Sequence, residues 1–182
     1  MKNLILSLLL LVATASVQSQ VTHLEEANVI YKPFDSEITQ NQNQYSFAIN
    51  EEYVGEFDKN PIGFMQSNFD IYSFMRAIDQ EYDTYEINFS SKKGRLMANY
   101  GKEGELLSTY QKFNDILLPL DVRREVFMKN KGWTMTGNKY IASGTANLLE
   151  KELYRIKLEK DGKKRIVKLD GKNVGLTSVA SN

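Results

Sequence analysis

The sequence predicts an α+β fold: an antiparallel sheet built from two helix-then-β-meander repeats, with the helices packed on one face. Three observations predict it. Ile62, Met65, Phe69 and Tyr72 recur at spacings of three and four, and Phe74, Met75 and Ile78 continue the stripe, which is the period of a helix laid on a core. Tyr85-Glu86-Ile87-Asn88-Phe89 alternates with period two, turns at Lys92-Lys93-Gly94 and returns through Leu96, Ala98 and Tyr100. An echo follows a second helical stretch: Tyr154-Arg155-Ile156-Lys157-Leu158, a turn at Asp161-Gly162, and a return from Arg165 to Leu169, with Asp-Gly as a strong hairpin signal. Runs of strands after a helix, without strict βαβ alternation, define the α+β class.

Each element follows in order. Met1-Lys2-Asn3 is a short positive start, Leu4 to Ala15 is an apolar run broken only by Ser7 and Thr14, and Val17-Gln18-Ser19 offers small or short side chains before Gln20. This is the three-part pattern of a secretory signal peptide, predicted over 1–19 with cleavage near Ser19. The apolar run is shorter than the roughly 20 residues of a membrane-spanning helix. The expectation is a periplasmic or secreted protein with no membrane span in its mature form. Residues 20–60 then form an acidic β segment. Val29-Ile30-Tyr31 and Tyr45 to Ile49 read as strands, and the polar tract Thr39 to Gln44 reads as a loop.

Asn60-Pro61 has the form of a helix start, with Asn as cap and Pro at the first helical position. The helix runs near 61–79, with Gly63 and Asn68 as places where it divides. Strands over 85–89, 96–100 and 106–110 make the first meander. Leu118-Pro119 opens the second helix. Asp121 sits in its first turn where the dipole favours an anion, Lys129 and Lys131 stand in its last turn, and Gly132 closes it. Trp133 to Ile141 reads as a strand, Ala142 to Asn147 as a loop, and the hairpin over 154–169 completes an α+β domain spanning 61–176. The tail 177–182 is expected to fray.

Composition removes several function classes. The 182 residues hold 23 basic and 23 acidic groups, one histidine and no cysteine. Without the leader, 22 basic face 23 acidic groups, which is no footprint for nucleic acid. Zero cysteines exclude disulfides, thiolate metal sites and thiol nucleophiles, and His23 alone builds no multi-histidine centre. The expectation is therefore no cofactor, no metal and no nucleic-acid partner. Charge is nevertheless uneven: residues 21–60 carry a net of −6, and 151–173 carry +5.

Three short patterns imitate catalytic motifs. Gly132 to Lys139 approaches a phosphate-binding loop, but Asn138 displaces the lysine, Tyr140 stands where a metal-binding hydroxyl belongs, and the context is helix-to-strand rather than strand-to-helix. Ser90-Ser91-Lys92-Lys93 matches S-x-x-K but lies in a hairpin turn, where serine and lysine do not share a helical turn. Asp161-Gly162 and Asp170-Gly171 lack the alternating oxygen ligands of a calcium loop. No pair among the carboxylates is distinguished. The sequence reads as a protein that is not an enzyme.

The pieces Tyr85 to Phe89 with Gly94 and Gly104, Leu118-Pro119, Gly132-Trp133, and Tyr154 to Leu158 with Asp161-Gly162 together resemble the PepSY-like family. Its members pack α-then-β-meander repeats in the manner of the β-lactamase inhibitor protein. The likeness covers about residues 61–176, and the chain is similar to small secreted flavobacterial proteins. The resemblance implies an exported, non-catalytic binding or inhibitory module and carries over no catalytic residue.

Period two places Tyr85, Ile87, Phe89, Tyr154, Ile156 and Leu158 against the helices. The opposite face then carries Glu86, Asn88, Met97, Asn99, Thr109, Arg155, Lys157 and Lys168, the candidate partner-binding residues for an envelope or extracellular protein. The alternative is a small-ligand or lipid carrier with a cavity between helices and sheet. A third reading, a hydrolase working through carboxylates, requires two acidic groups converging in a cleft with perturbed titration.

Overall fold

The structure is a computed structural model and describes Phe34 and residues 39–174. The predicted leader, the strand at 29–31, His23 and the tail at 177–182 lie outside the described residues. The fold is mixed α/β, with an eight-stranded sheet in which neighbours in space are neighbours in sequence. The strands are β1 Thr39–Asn41, β2 Gln44–Ala48, β3 Thr84–Ser90, β4 Gly94–Gly101, β5 Leu106–Asn114, β6 Thr134–Thr145, β7 Leu148–Lys160 and β8 Lys163–Asp170. The helices are α1 Val54–Lys59, α2 Pro61–Asn68, α3 Ile71–Ala77 and α4 Leu120–Lys129, with a 3-10 turn at Glu51–Tyr53 before α1. No described helix is long and apolar enough to cross a membrane.

The sheet is not wholly antiparallel. β2 runs parallel to β3, with Tyr45 opposite Ile87 and Phe47 opposite Phe89. Parallel neighbours require a crossover, and the 3-10 turn with α1, α2 and α3 supplies it. The tract predicted as a loop over 39–44 holds strand β1, which pairs Thr39 with Ser46 across a turn where Gln42 takes a φ of 54°. Its polar side chains are exposed, so no alternation marked it. Both strands join the same sheet as the rest of the chain.

The predicted helix over 61–79 is two helices. Asn60 caps α2 by accepting from the Gly63 amide at 3.1 Å, with Pro61 at the first helical position. Phe69 is extended (φ −126°, ψ 119°), and Asp70 starts α3 by accepting from the Tyr72 amide at 3.0 Å. The break lets Phe69 turn inward against Phe47, Phe74 and Phe89. Helix α1 was hidden by its acidic composition, since only Phe57 and Asp58 of its six residues are buried.

The stretch 142–147 is also corrected. β6 continues to Thr145 and β7 begins at Leu148, with a two-residue turn at Ala146-Asn147 between them. Two register shifts along β6 and β7, at Met135/Gly137 and Ser143/Gly144, break the alternation that would have revealed the longer hairpin. The next hairpin is as read: Asp161 and Gly162 have φ of 49° and 73°, the left-handed pair that a tight turn with matching twist requires.

The core lies between the helices and one side of the sheet. Phe34, Phe47, Phe69 and Phe89 form a cluster with ring centroids 5.2–6.4 Å apart, and Phe57 meets Phe113 edge-on at 5.5 Å. Val122 and Val126 of α4 enter the same core as Ile156 and Leu158. The end of α4 is tied to β8 through Asn130, which donates to the Val126 carbonyl at 2.6 Å and accepts from Arg165, whose guanidinium lies 4.1 Å over the Trp133 ring.

Candidate functional site: a basic sheet face and a polar cleft

The side of the sheet away from the core is uncovered among the described residues. Seven of the eight predicted face residues are there. Glu86, Asn88, Met97 and Asn99 are half-buried, while Arg155, Lys157 and Lys168 are exposed. Register brings Glu86 opposite Asn99 and Asn88 opposite Met97. Asn88 donates to Glu86 at 3.2 Å, and Asn99 donates to the Ser108 hydroxyl at 3.0 Å.

Thr109 is a correction. It is 3 % exposed and lies on the core side opposite Ala98. The shift of register between Asn99 and Tyr100 inserts Leu107 as an extra residue, since Asn99 pairs Ser108 and Tyr100 pairs Leu106. One inserted residue turns every following side chain to the other face. Thr109, Gln111 and Phe113 therefore point to the core, and Ser108, Tyr110 and Lys112 point outward. The strand also runs four residues past the predicted end at Tyr110.

That phase change exposes what the sequence did not assemble. Lys112 pairs with Arg95, and Lys139 pairs with Arg155, which in turn pairs with Lys168. Two rows of like charge thus span five strands, with the residues within each row directly opposite one another. Lys151 and Lys157 extend the band along β7. None of these seven side chains makes an ion pair among the described residues. Directly opposed like charges destabilise a sheet, by roughly 0.2–1 kcal/mol per pair. Apolar Met97, Tyr110, Ile141 and Leu153 lie among them in register. Arg95, Lys112 and Lys139 were missed because no run of basic residues marks them. Their alignment exists only in register.

On the other side of the sheet, α1 and α2 cover one half and α4 the other, and the seam between them is a cleft of about 440 Å³. Gln111 (2 % exposed), Tyr140, Glu152 and Tyr154 make its floor, and the α1–α2 corner with Asp58 and Lys59 makes one wall. Ile116, Leu117 and Pro119 make the opposite wall. Asn138 holds that wall: its side chain donates to the Ile116 carbonyl at 2.9 Å and accepts from the Ile116 amide at 3.2 Å, while its own amide donates to Asp115 at 2.8 Å. The tempting phosphate-loop residue is thus a buried strap, and residues 134–140 belong to β6.

Both Tyr140 and Tyr154 donate to Glu152 Oε1 at 3.0 Å, with rings 5.0 Å apart. Burial, then the neighbouring Glu152 charge, pushes both phenols far above their ordinary range, so they remain protonated donors. Ser91 of the S-x-x-K stretch donates to Asp58 Oδ1 at 2.9 Å, and Lys93 lies 3.5 Å from Oδ2, an oxygen with no hydrogen-bond partner among the described residues. Asp58 and Glu152 both line this cleft. No group of three or more acidic or histidine side chains suited to a metal ion is present among the described residues. Comparison of the chain with protein-family models, with curated proteins and with solved structures finds no match.

Proposed function

We propose that this protein is an exported, non-catalytic binding module that docks an acidic protein on its open sheet face, as an inhibitor does. The observation carrying the reading is the opposed row Lys139–Arg155–Lys168, beside Arg95–Lys112. Such rows are unfavourable in the free protein and become favourable against carboxylates, with the apolar side chains between them supplying desolvated contact. Glu86, Asn88 and Asn99 supply polar contacts at the far end of the same face. The leader directs such a module to the periplasm or outside the cell, and the partner is an envelope or extracellular protein.

The reading takes the chain as a duplicated one: α2 and α3 with β3–β5, then α4 with β6–β8, two helix-then-meander units in the PepSY-like manner. Each helical layer shields the core side and leaves the other free.

The test is binding of polyglutamate, as an acidic polypeptide, to the full chain and to Arg155→Glu/Lys157→Glu, with perturbed resonances mapped by NMR. The expected result is saturable binding that shifts Met97, Tyr110 and Ile141 and is abolished in the double variant. Native envelope capture then identifies the protein retained by the parent chain and lost by the variant. Binding that is unchanged by charge reversal, or that appears only with anionic phospholipid vesicles or an acidic polysaccharide, defeats the assignment to an acidic protein.

A further inference from the structure

The cleft on the core side is separate from the open face and is built for a different kind of ligand. Its polar lining mixes the Glu152 carboxylate and the Gln111 amide with the Tyr140 and Tyr154 hydroxyls and the Lys59 and Lys93 ammonium groups. Asp58 is already engaged: Oδ1 accepts from Ser91 at 2.9 Å, and Oδ2 lies 3.5 Å from the Lys93 ammonium. The Gln111 amide is 2 % exposed and has no hydrogen-bond partner among the described residues. Glu152 holds a carboxylate on the floor with two neutral phenols as its donors and no ion-pair partner among the described residues. Glu152 is half-buried, and its two phenolic hydrogen bonds orient the carboxylate without supplying a positive charge. Lys93 is committed to Asp58 at the wall.

We infer that this cleft is a binding site for a small organic cation bearing a primary ammonium group, seated on Glu152 with the Gln111 side-chain oxygen accepting a further proton. An ammonium brings three donors and one positive charge, the complement of what the floor presents. The volume lies within the range of small-molecule sites, roughly 300–1,000 Å³. Pro61, Ile62, Ile116, Leu117, Pro119 and Leu149 give the cleft apolar walls against which the carbon chain of such a cation packs. The wall is preorganised by the Asn138 bonds to Ile116, so little ordering accompanies binding.

One position at the mouth makes the idea testable without touching the polar groups. Gly55 lines the cleft, and a Cβ added there meets nothing within 4 Å. A Leu at 55 is expected to narrow the opening without touching the core, and it replaces a glycine in the first turn of α1.

The experiment titrates the full chain with 1,5-diaminopentane at constant ionic strength, by calorimetry and NMR, with glucose and acetate as comparison probes. Saturable binding is expected for the diamine alone, shifting the Tyr140 and Tyr154 signals. Glu152→Gln is expected to weaken it roughly tenfold or more, as loss of a charge-assisted bond requires. Gly55→Leu is expected to abolish it with an unchanged or raised Tm. Should Glu152→Gln fail to fold, Gly55→Leu and Gln111→Leu carry the test. The inference is overturned by absence of saturable diamine binding, by equal binding of glucose, or by a diamine affinity that Gly55→Leu leaves intact. Polyglutamate binding at the open face is measured on the same samples, so failure of one site is distinguishable from failure of the other.

Discussion

Arg155 and Lys168 are register partners on the exposed side of β7 and β8, and Lys139 faces Arg155 from the other flank. Side chains so paired have Cβ atoms about 4.5–5.5 Å apart, and three like charges in a line repel in the free molecule. Replacing Arg155 by Glu converts two repulsions into two attractions. The variant is expected to be more stable than the parent by about 0.5–2 kcal/mol, two pairs each worth about 0.2–1 kcal/mol, measured by urea unfolding. Added salt is expected to narrow the difference by screening. A variant that is less stable, or a difference indifferent to salt, removes the repulsion from the account.

Alkaline pH tests the buried phenols. Burial raises Tyr100 to about 12, and Tyr140 and Tyr154 are raised further by burial and Glu152. In the unfolded chain they ionise near pH 10. Above that point the unfolded state holds fewer protons than the fold. The stabilisation is therefore complete below about pH 10 and is lost as pH rises through the folded values. The expected result is that these three of the ten tyrosines titrate only together with loss of the circular dichroism signal. Free titration near pH 10 with the fold intact contradicts their burial.

Two glycines should respond with opposite sign. At Gly94 an added Cβ would stand 2.1 Å from the Lys112 carbonyl oxygen, a backbone atom that cannot move aside. Gly94→Ala is expected to cost about 1–3 kcal/mol, as overpacking does. Gly55→Ala in α1 meets no atom and should gain about 0.5–1 kcal/mol from helix propensity. Thermal melts of both variants check the pair.

Asn138 gives the prediction for the cleft wall. Asn138→Ala strips the Ile116 amide and carbonyl of their partners, and each buried group left unsatisfied costs about 1–3 kcal/mol. Faster amide exchange is expected at Ile116, with β6 amides beyond Tyr140 unaffected. Unchanged exchange there would show that the wall stands without the strap.

Packing of the aromatic cluster is the most direct test of the core. Phe89 is fully buried and touches Phe34, Phe47 and Phe69. Phe89→Ala is expected to cost about 3–5 kcal/mol, enough to lower the urea midpoint sharply, whereas Phe127→Ala, at a position 73 % exposed, should change it little.

Local chemistry was legible in the residues alone wherever one interaction decides an outcome within a few positions. Asn60-Pro61 starts a helix, Gly132 takes φ 79° in the turn that follows one, and Asp161-Gly162 turns a hairpin. The cores of β3, β4 and the 154–169 hairpin follow from strict alternation, because a sheet with one buried side imposes period two. Register, parallel pairing and phase belong to the tertiary structure. The Leu107 bulge moved Thr109 inward and Lys112 outward, and a bulge leaves no compositional trace. β1, with no buried side chain, exists through its partner strand. The basic rows and the cleft are products of that geometry: Arg95 and Lys112 are seventeen positions apart in the chain, Asp58 and Glu152 ninety-four, and only the pairing of strands and the seam between two helical layers bring such groups together.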